Sequence, residues 1–356
     1  MSSAKQVTCY RFRGTVCGGR LNWIPLEPFM SDTPARPILL VAGNPPDDWF
    51  ERLEAVADRV EIRRGSSEEE TQALLPEADC AFAWEKGAFW IRDSLDRASS
   101  LKWMQISSAG LERIMSPGLI ASPVTLVNGQ GLYAAALAEF VIFSILFFVK
   151  SFRRIDANRK KHHWERFLGY EAREQTLSII GYGGTGRATA KLAKAMDMKV
   201  IAVKRNTATV EGSEWVDEVV PLDRWHDALA ASDFVCNALP FTDATKGMFD
   251  EAAFRAMKGS AIYINVGRGK TTQEDVMIRA LKESWIAGAG LDVFETEPLP
   301  EDSELWDMEN VIVSPHCTDV TTTYHIESAK LLCENVERWL KGEPLLNVVA
   351  DKARGY

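Results

Sequence analysis

Cysteine and histidine are scarce in this chain: 356 residues include 6 cysteines and 5 histidines. Cys9, Cys17, Cys80, Cys236, Cys317 and Cys333 are scattered and form no C-x-x-C pair. That excludes a disulfide framework and a zinc site, and it fits a reducing compartment, read here as the cytoplasm. His162 and His163 are neighbours and cannot share one helical face as ligands, and His226 sits among charges, so no metal is expected. Long hydrophobic runs are also missing. The most apolar stretch, Phe140–Val149, is ten residues long and bounded by Glu139 and Lys150, too short to cross a bilayer. There is no excess of positive charge: a net charge of −9 argues against nucleic acid as a partner. Repeats and low-complexity tracts are absent. Finally, no acid precedes Glu27, while Lys5, Arg11, Arg13 and Arg20 do. Such a leader reads as a disordered tail, or as sequence upstream of a start at Met30, with an organellar transit segment over residues 1–29 as the alternative.

What remains is a chain of ordinary globular composition, 46% hydrophobic and 26% charged, long enough for about two domains. In Leu177–Gly186 (LSIIGYGGTG) an apolar strand runs into a glycine-rich turn and then a helix-compatible stretch. The pattern G-x-G-x-x-G at a strand-to-helix turn is the context in which it binds a dinucleotide. Gly181 permits the tight turn, Gly183 lets backbone amides approach a pyrophosphate, and Gly186 allows close helix–strand packing.

The next apolar run, Val200–Val203, predicts a second parallel strand. At its end an NAD site places an acid that accepts from the ribose 2′-hydroxyl. Here Lys204 follows Gly181 by 23 residues and Arg205 comes next. A cationic pair cannot accept from that hydroxyl but can pair with a 2′-phosphate, so the cofactor reads as NADP(H). A solvated basic strand end, with NAD(H) as cofactor, is the alternative.

Two α/β rhythms divide the chain. The first has strands at 37–43, 78–84 and 101–106 and a helix near 48–57. A long helix over 132–150 leads to the second, with strands near 177–181, 199–203, 217–220, 232–239, 260–265, 287–292 and 311–314. The basic run from Lys150 to Lys161 reads as a solvated helix face. A last helix, 322–341, lies beyond the nucleotide unit and is expected to return to the first domain, leaving a cleft between the two. The expected organisation is a leader over 1–35, a flavodoxin-like substrate domain from 36–130 plus 320–356, and a doubly wound parallel-sheet dinucleotide-binding domain over 131–319. The fold is thus α/β with two Rossmann-like domains.

Three strand ends after the glycine loop carry chemistry. NVGRG ends with Arg268 at the strand edge, GLDVFETEPL supplies Asp292 and Glu297, and VSPH supplies His316. Open parallel sheets bind ligands at this edge.

With IIGYGGTGR, ALPFTDATKG, INVGRG, AGAGLDVFETEPLP and SPH in this order, the chain resembles the D-isomer-specific 2-hydroxyacid dehydrogenases over about residues 36–350. The resemblance implies reduction of a small 2-keto acid, of the glyoxylate or hydroxypyruvate type, to the D-2-hydroxy acid. Arg268 would bind the substrate carboxylate and polarise the C2 oxygen, His316 would act as general acid/base, and Glu297 would hold the imidazole. Ser108, Ala109 and Gly110 match the family's carboxylate-gripping loop. Gly184 and Thr185 match the pyrophosphate turn, Leu239, Pro240, Val266 and Gly267 the nicotinamide side, and Asp292 the carboxamide contact. The long apolar helix and the family's habit imply a homodimer. Departures are Cys317, Thr318 and Asp319 after the histidine, where the family has small residues, and Glu112 where Asp is common. A nucleotide-sensing corepressor-like protein, or a dehydrogenase of a different small acid, is the competing reading. Trp84, Phe89 and Trp90 either close the far side of the pocket or belong to the core.

Overall fold

The computed structural model describes residues 12–17, 20–25, 36–208 and 210–353. Most of the leader therefore lies outside the described residues. Its described part pairs as an antiparallel ribbon, β1 (Phe12–Cys17) with β2 (Arg20–Pro25).

The first sheet holds β3 (Ile38–Ala42), β4 (Glu61–Gly65), β5 (Cys80–Ala83), β6 (Trp103–Ile106) and β7 (Thr125–Val127). All pairings are parallel, in the order β4-β3-β5-β6-β7, the flavodoxin-like winding. Leu40, Ala42, Ala81, Ala83 and Met104 enter the core on one face, and Leu39, Val41, Phe82 and Trp103 on the other. Period-two alternation between two buried faces explains why these strands are apolar throughout. Helices α1 (Asp47–Arg52), α2 (Glu68–Leu74), α3 (Gly87–Arg92) and α4 (Pro117–Ala121) connect them. The expected 48–57 helix is shorter in α form, tightening into a 3₁₀ turn at Leu53–Ala55.

Helix α5 (Ala134–Val149) and, after a sharp bend, α6 (Phe152–Lys160) lead to the second sheet. That sheet comprises β8 (Thr176–Ile180), β9 (Lys199–Lys204), β10 (Glu218–Pro221), β11 (Phe234–Asn237), β12 (Ile262–Asn265), β13 (Gly288–Leu291) and β14 (Val311–Val313). The strands run parallel in the order β10-β9-β8-β11-β12-β13-β14, the doubly wound arrangement with one added strand. Helices α7 (Gly184–Ala195), α8 (Trp225–Ala231), α9 (Glu251–Ala256) and α10 (Glu274–Lys282) cross between strands. No single helix among the described residues is long and apolar enough to cross a membrane.

The last helix, α11 (Tyr324–Lys341), returns to the first sheet. Its buried Ser328 accepts from Trp49 Nε1 at 3.0 Å, and Asn335 donates to Gln105 Oε1 at 3.1 Å. The chain end follows it, with Val349 N donating to Leu126 O at 2.9 Å.

Candidate active site

Parallel strands deliver their C-terminal ends to one edge, and the sequence places polar residues there. β8 ends in the glycine turn. Gly181 has φ +100°, and a Cβ on it would lie 2.8 Å from Ala238 O, so neither the backbone nor the space admits a side chain. Gly183 precedes α7 and faces open space, where a Cβ would meet nothing within 4 Å. The first turn of α7, including Gly184, Thr185 and Gly186, leaves N–H groups without intrahelical acceptors. This cradle fits a dinucleotide pyrophosphate. Gly181 N donates to Val203 O at 3.1 Å, which brings Lys204 and Arg205, at the end of β9, beside the same turn.

The turns after β11 and β12 abut this loop. Leu239 N donates to Asn237 Oδ1, and Gly267 N to Asn265 Oδ1, each at 3.1 Å. A Cβ on Gly267 would lie 2.5 Å from Leu239 O, so Leu239, Pro240, Val266 and Gly267 form one continuous wall. Beneath them lies a buried polar network that sequence reasoning missed. Asn237 donates to Tyr263 Oη and to Thr271 Oγ1, both at 2.8 Å, and Thr271 Oγ1 donates to Arg268 O at 2.6 Å. The signal was an asparagine ending each of two apolar strands, FVCN and IYIN. Buried polar groups need partners, and these fix the backbone on either side of Arg268.

Arg268 projects from the end of β12 toward the first domain. Its Nε donates to Glu112 Oε1 at 3.0 Å and its Nη1 to Gly267 O at 2.8 Å. Its Nη2 lies 2.1 Å from where a Gly110 Cβ would stand, so the guanidinium rests against the open face of that glycine. The loop around Gly110 is pinned from outside: Asn128 Nδ2 donates to Ala109 O at 2.8 Å, and Gly129 N to Ser108 O at 2.9 Å. Tyr133 Oη donates to Ser107 O. Among the described residues, the amides of Ser108, Ala109 and Gly110 donate to no acceptor. A cation thus lies beside Gly110, in a loop with three amides free of protein acceptors, groups complementary to a carboxylate.

His316 Nδ1 lies 2.8 Å from Glu297 Oε2, and Glu297 Oε1 accepts from Phe294 N at 3.0 Å. The Glu295 amide donates to Glu274 Oε2 at 2.9 Å, and burial pushes the Glu274 carboxyl up. Glu297 therefore orients the ring and leaves Nε2 for other work. His316 adopts φ +51°, a left-handed conformation that a non-glycine residue holds only when its surroundings impose it. The imposing group is Asp292, 1% exposed. Its Oδ1 accepts from Ser314 Oγ at 2.7 Å, Cys317 N at 3.2 Å and Thr318 N at 3.3 Å, and its Oδ2 from Thr318 Oγ1 at 2.6 Å. The resemblance assigns Asp292 to the cofactor. The structure adds a task the sequence did not reveal, since this carboxylate fastens the turn that carries His316.

Of the other singled-out residues, Trp84 is buried behind Tyr324, on which it stacks with ring centroids 5.5 Å apart. His162, His163 and His226 are exposed. Among the described residues no group of three His, Cys, Asp or Glu side chains could hold a metal ion.

A doubly wound nucleotide unit, a second parallel domain and an arginine–glutamate–histidine set at one sheet edge define an NAD(P)-dependent oxidoreductase. The profile of the D-isomer-specific 2-hydroxyacid dehydrogenase NAD-binding domain matches residues 142–318. A glyoxylate reductase of Thermococcus litoralis is 33% identical over 271 residues, 72% of this chain and 80% of that one. The crystal structure of a D-isomer-specific 2-hydroxyacid dehydrogenase family protein from Aeromonas salmonicida superposes with a TM-score of 0.78 at 27% identity, covering 88% of this chain and 99% of the other. An NADPH-dependent glyoxylate/hydroxypyruvate reductase from Sinorhizobium meliloti, solved with NADP and sulfate, superposes with a TM-score of 0.76 at 29% identity, covering 90% and 100%. The chain belongs to the D-isomer-specific 2-hydroxyacid dehydrogenase family.

Proposed function

We propose that this protein reduces a small 2-keto acid, of the glyoxylate or hydroxypyruvate type, to the D-2-hydroxy acid, with His316, Glu297 and Arg268 as the catalytic set. The supporting observation is that the neighbouring parallel strands β12, β13 and β14 deliver Arg268, Glu297 and His316 to one sheet edge, with His316 and Glu297 2.8 Å apart and Arg268 against Gly110. Bound along the glycine turn and the 239–240 and 266–267 wall, a nicotinamide dinucleotide supplies or accepts the hydride. Arg268 and the Ser108, Ala109 and Gly110 amides hold the substrate carboxylate, and the guanidinium also polarises the C2 oxygen. His316 Nε2 gives that oxygen its proton in reduction and takes it back in oxidation. Glu297 keeps the ring aimed and stabilises its protonated form.

In this reading residues 131–319 bind the dinucleotide, and 36–130 with 320–356 form the substrate domain. Lys204 and Arg205, where an acid would accept from a ribose hydroxyl, favour NADP(H) over NAD(H). The S. meliloti relative that was solved with NADP agrees with that preference. The free thiols of Cys80, Cys236, Cys317 and Cys333 fit the reducing cytoplasm.

A homodimer is part of the proposal. Phe143 is 50% exposed and Phe152 51% exposed, and with Ile142, Leu146, Phe147 and Leu192 they line one apolar groove formed by α5, α6 and α7. A contiguous apolar patch of this kind calls for a partner, and a two-fold copy covers it with itself.

A spectrophotometric panel of 2-keto acids, run with NADPH and NADH in parallel, tests the activity. Cofactor binding without turnover of any of them would instead favour a sensor.

A further inference from the structure

We propose that Asp319 determines substrate specificity, selecting 2-keto acids whose third carbon carries a hydroxyl and rejecting those in which that carbon is a bare methyl group or carries a second anion. The inference rests on the catalytic reading above. With the substrate carboxylate on Arg268 and the 108–110 amides, and the C2 oxygen toward His316, one substituent of C2 is left over. It must face whatever else lines the cleft near the histidine.

Asp319 lies three residues after His316 on the same fastened turn, where Val320 N donates to Cys317 O at 3.0 Å and Thr321 N to Asp319 O at 3.0 Å. It is half-buried. Its charge acts on Tyr133 and Tyr324, whose rings lie 6.2 Å apart, and is acted on by His316 and Arg268. The turn and these neighbours place Asp319 close to both the catalytic pair and the two tyrosines. Burial pushes its carboxyl up, with Asp292 adding to the rise, while His316, its own amide and Arg268 oppose it. Among the described residues its carboxylate accepts from its own amide and from no other residue's side chain.

A carboxylate has about four lone-pair sites, so most of its capacity is unused. A substrate hydroxyl would fill part of it. A methyl group would strip water from the carboxylate and offer nothing in return, and a second anion would add like-charge repulsion in a poorly screened site. A site built to accept from a substrate hydroxyl discriminates strongly against the analogue that lacks it.

The test compares kcat/KM for hydroxypyruvate, pyruvate, oxaloacetate and glyoxylate in the full chain and in the Asp319→Ala and Asp319→Asn variants. NADPH binding by fluorescence confirms that each variant is folded. In Asp319→Ala the hydroxypyruvate-to-pyruvate ratio should fall at least about tenfold, and the oxaloacetate-to-pyruvate ratio should rise by a similar factor. Glyoxylate has no third carbon, so its kcat/KM in each variant is the reference against which the other three are read. Unmoved ratios in variants that still reduce glyoxylate overturn the role of Asp319 and leave the catalytic reading standing. A parallel fall for all four substrates also overturns it, because Asp319 would then act through the histidine turn. If the unaltered chain reduces none of them with either cofactor, both readings fall.

Discussion

Arg268 spans the two domains to meet Glu112, 156 residues away in sequence, with Nε 3.0 Å from Oε1. Both side chains are about one-third exposed, and an ion pair so placed contributes little to stability, on the order of 0–1 kcal/mol. Its effect is geometric. Glu112 holds the Nε side of the fork, which leaves Nη2 against Gly110.

Gly110→Ala should therefore damage activity more than folding. The added methyl meets only the ends of two flexible side chains, Arg268 Nη2 at 2.1 Å and Glu112 Oε2 at 2.7 Å, which can move away. KM for the keto acid should rise about tenfold or more, while the Tm stays within about 2 °C. Gly269→Ala is the contrast. Its methyl would lie 1.9 Å from Phe294 C and O, which are backbone atoms. Overpacking of that kind costs about 2–3 kcal/mol and should lower the Tm by roughly 5–10 °C. Calorimetry beside steady-state kinetics separates the two, and equal melting of both variants would contradict the account of Gly110.

His316→Asn should lower kcat by about 10²–10⁴-fold and leave the cofactor Kd nearly unchanged, since the role proposed for the imidazole is to move a proton, not to hold a phosphate. Glu297→Gln should cost less, because an amide oxygen can still accept from the ring. An unaltered rate in the asparagine variant removes His316 from the mechanism.

Replacing Lys204 with Asp and Arg205 with Pro should shift the ratio of kcat/KM for NADPH over NADH by at least about tenfold toward NADH. The comparison is internal to one enzyme, so a general loss of activity does not obscure it. A ratio that stays put would assign the 2′-phosphate to other residues.

Phe143→Glu should convert a dimer into a monomer, as seen by light scattering during gel filtration. Phe143 sits in the apolar groove beside Glu139, so the new carboxylate would be desolvated against hydrocarbon and a like charge at any two-fold contact. A wild-type chain that elutes only as a monomer would end the case for this interface.

The strand–glycine–helix unit was legible because all its constraints are local: a buried apolar run, a left-handed turn at Gly181 and small residues opening α7. β4 was not. It lies at a sheet edge, where Glu61 and Arg63 on one face and Arg64 on the other are tolerated, so EIRRG shows no apolar signature. β7 is three residues long, too short for any period to register. At the site, Arg268, Glu297 and His316 could be named from motifs, and the 108–110 loop from its resemblance. The partners of Asp292 and the surroundings of Asp319 could not be, because Ser314, Thr318, Tyr133 and Tyr324 meet them only when strands and domains close.

The arrangement beneath His316 has a kinetic meaning. Asp292 anchors the turn and Glu297 holds the ring, so under the proposed mechanism the imidazole would enter each catalytic cycle already aimed. The loss of freedom that proton transfer demands would then have been settled when the chain folded, leaving little reorganisation for the moment of reaction. Loosening Thr318 or Ser314 should be felt as a slower step at an otherwise intact site.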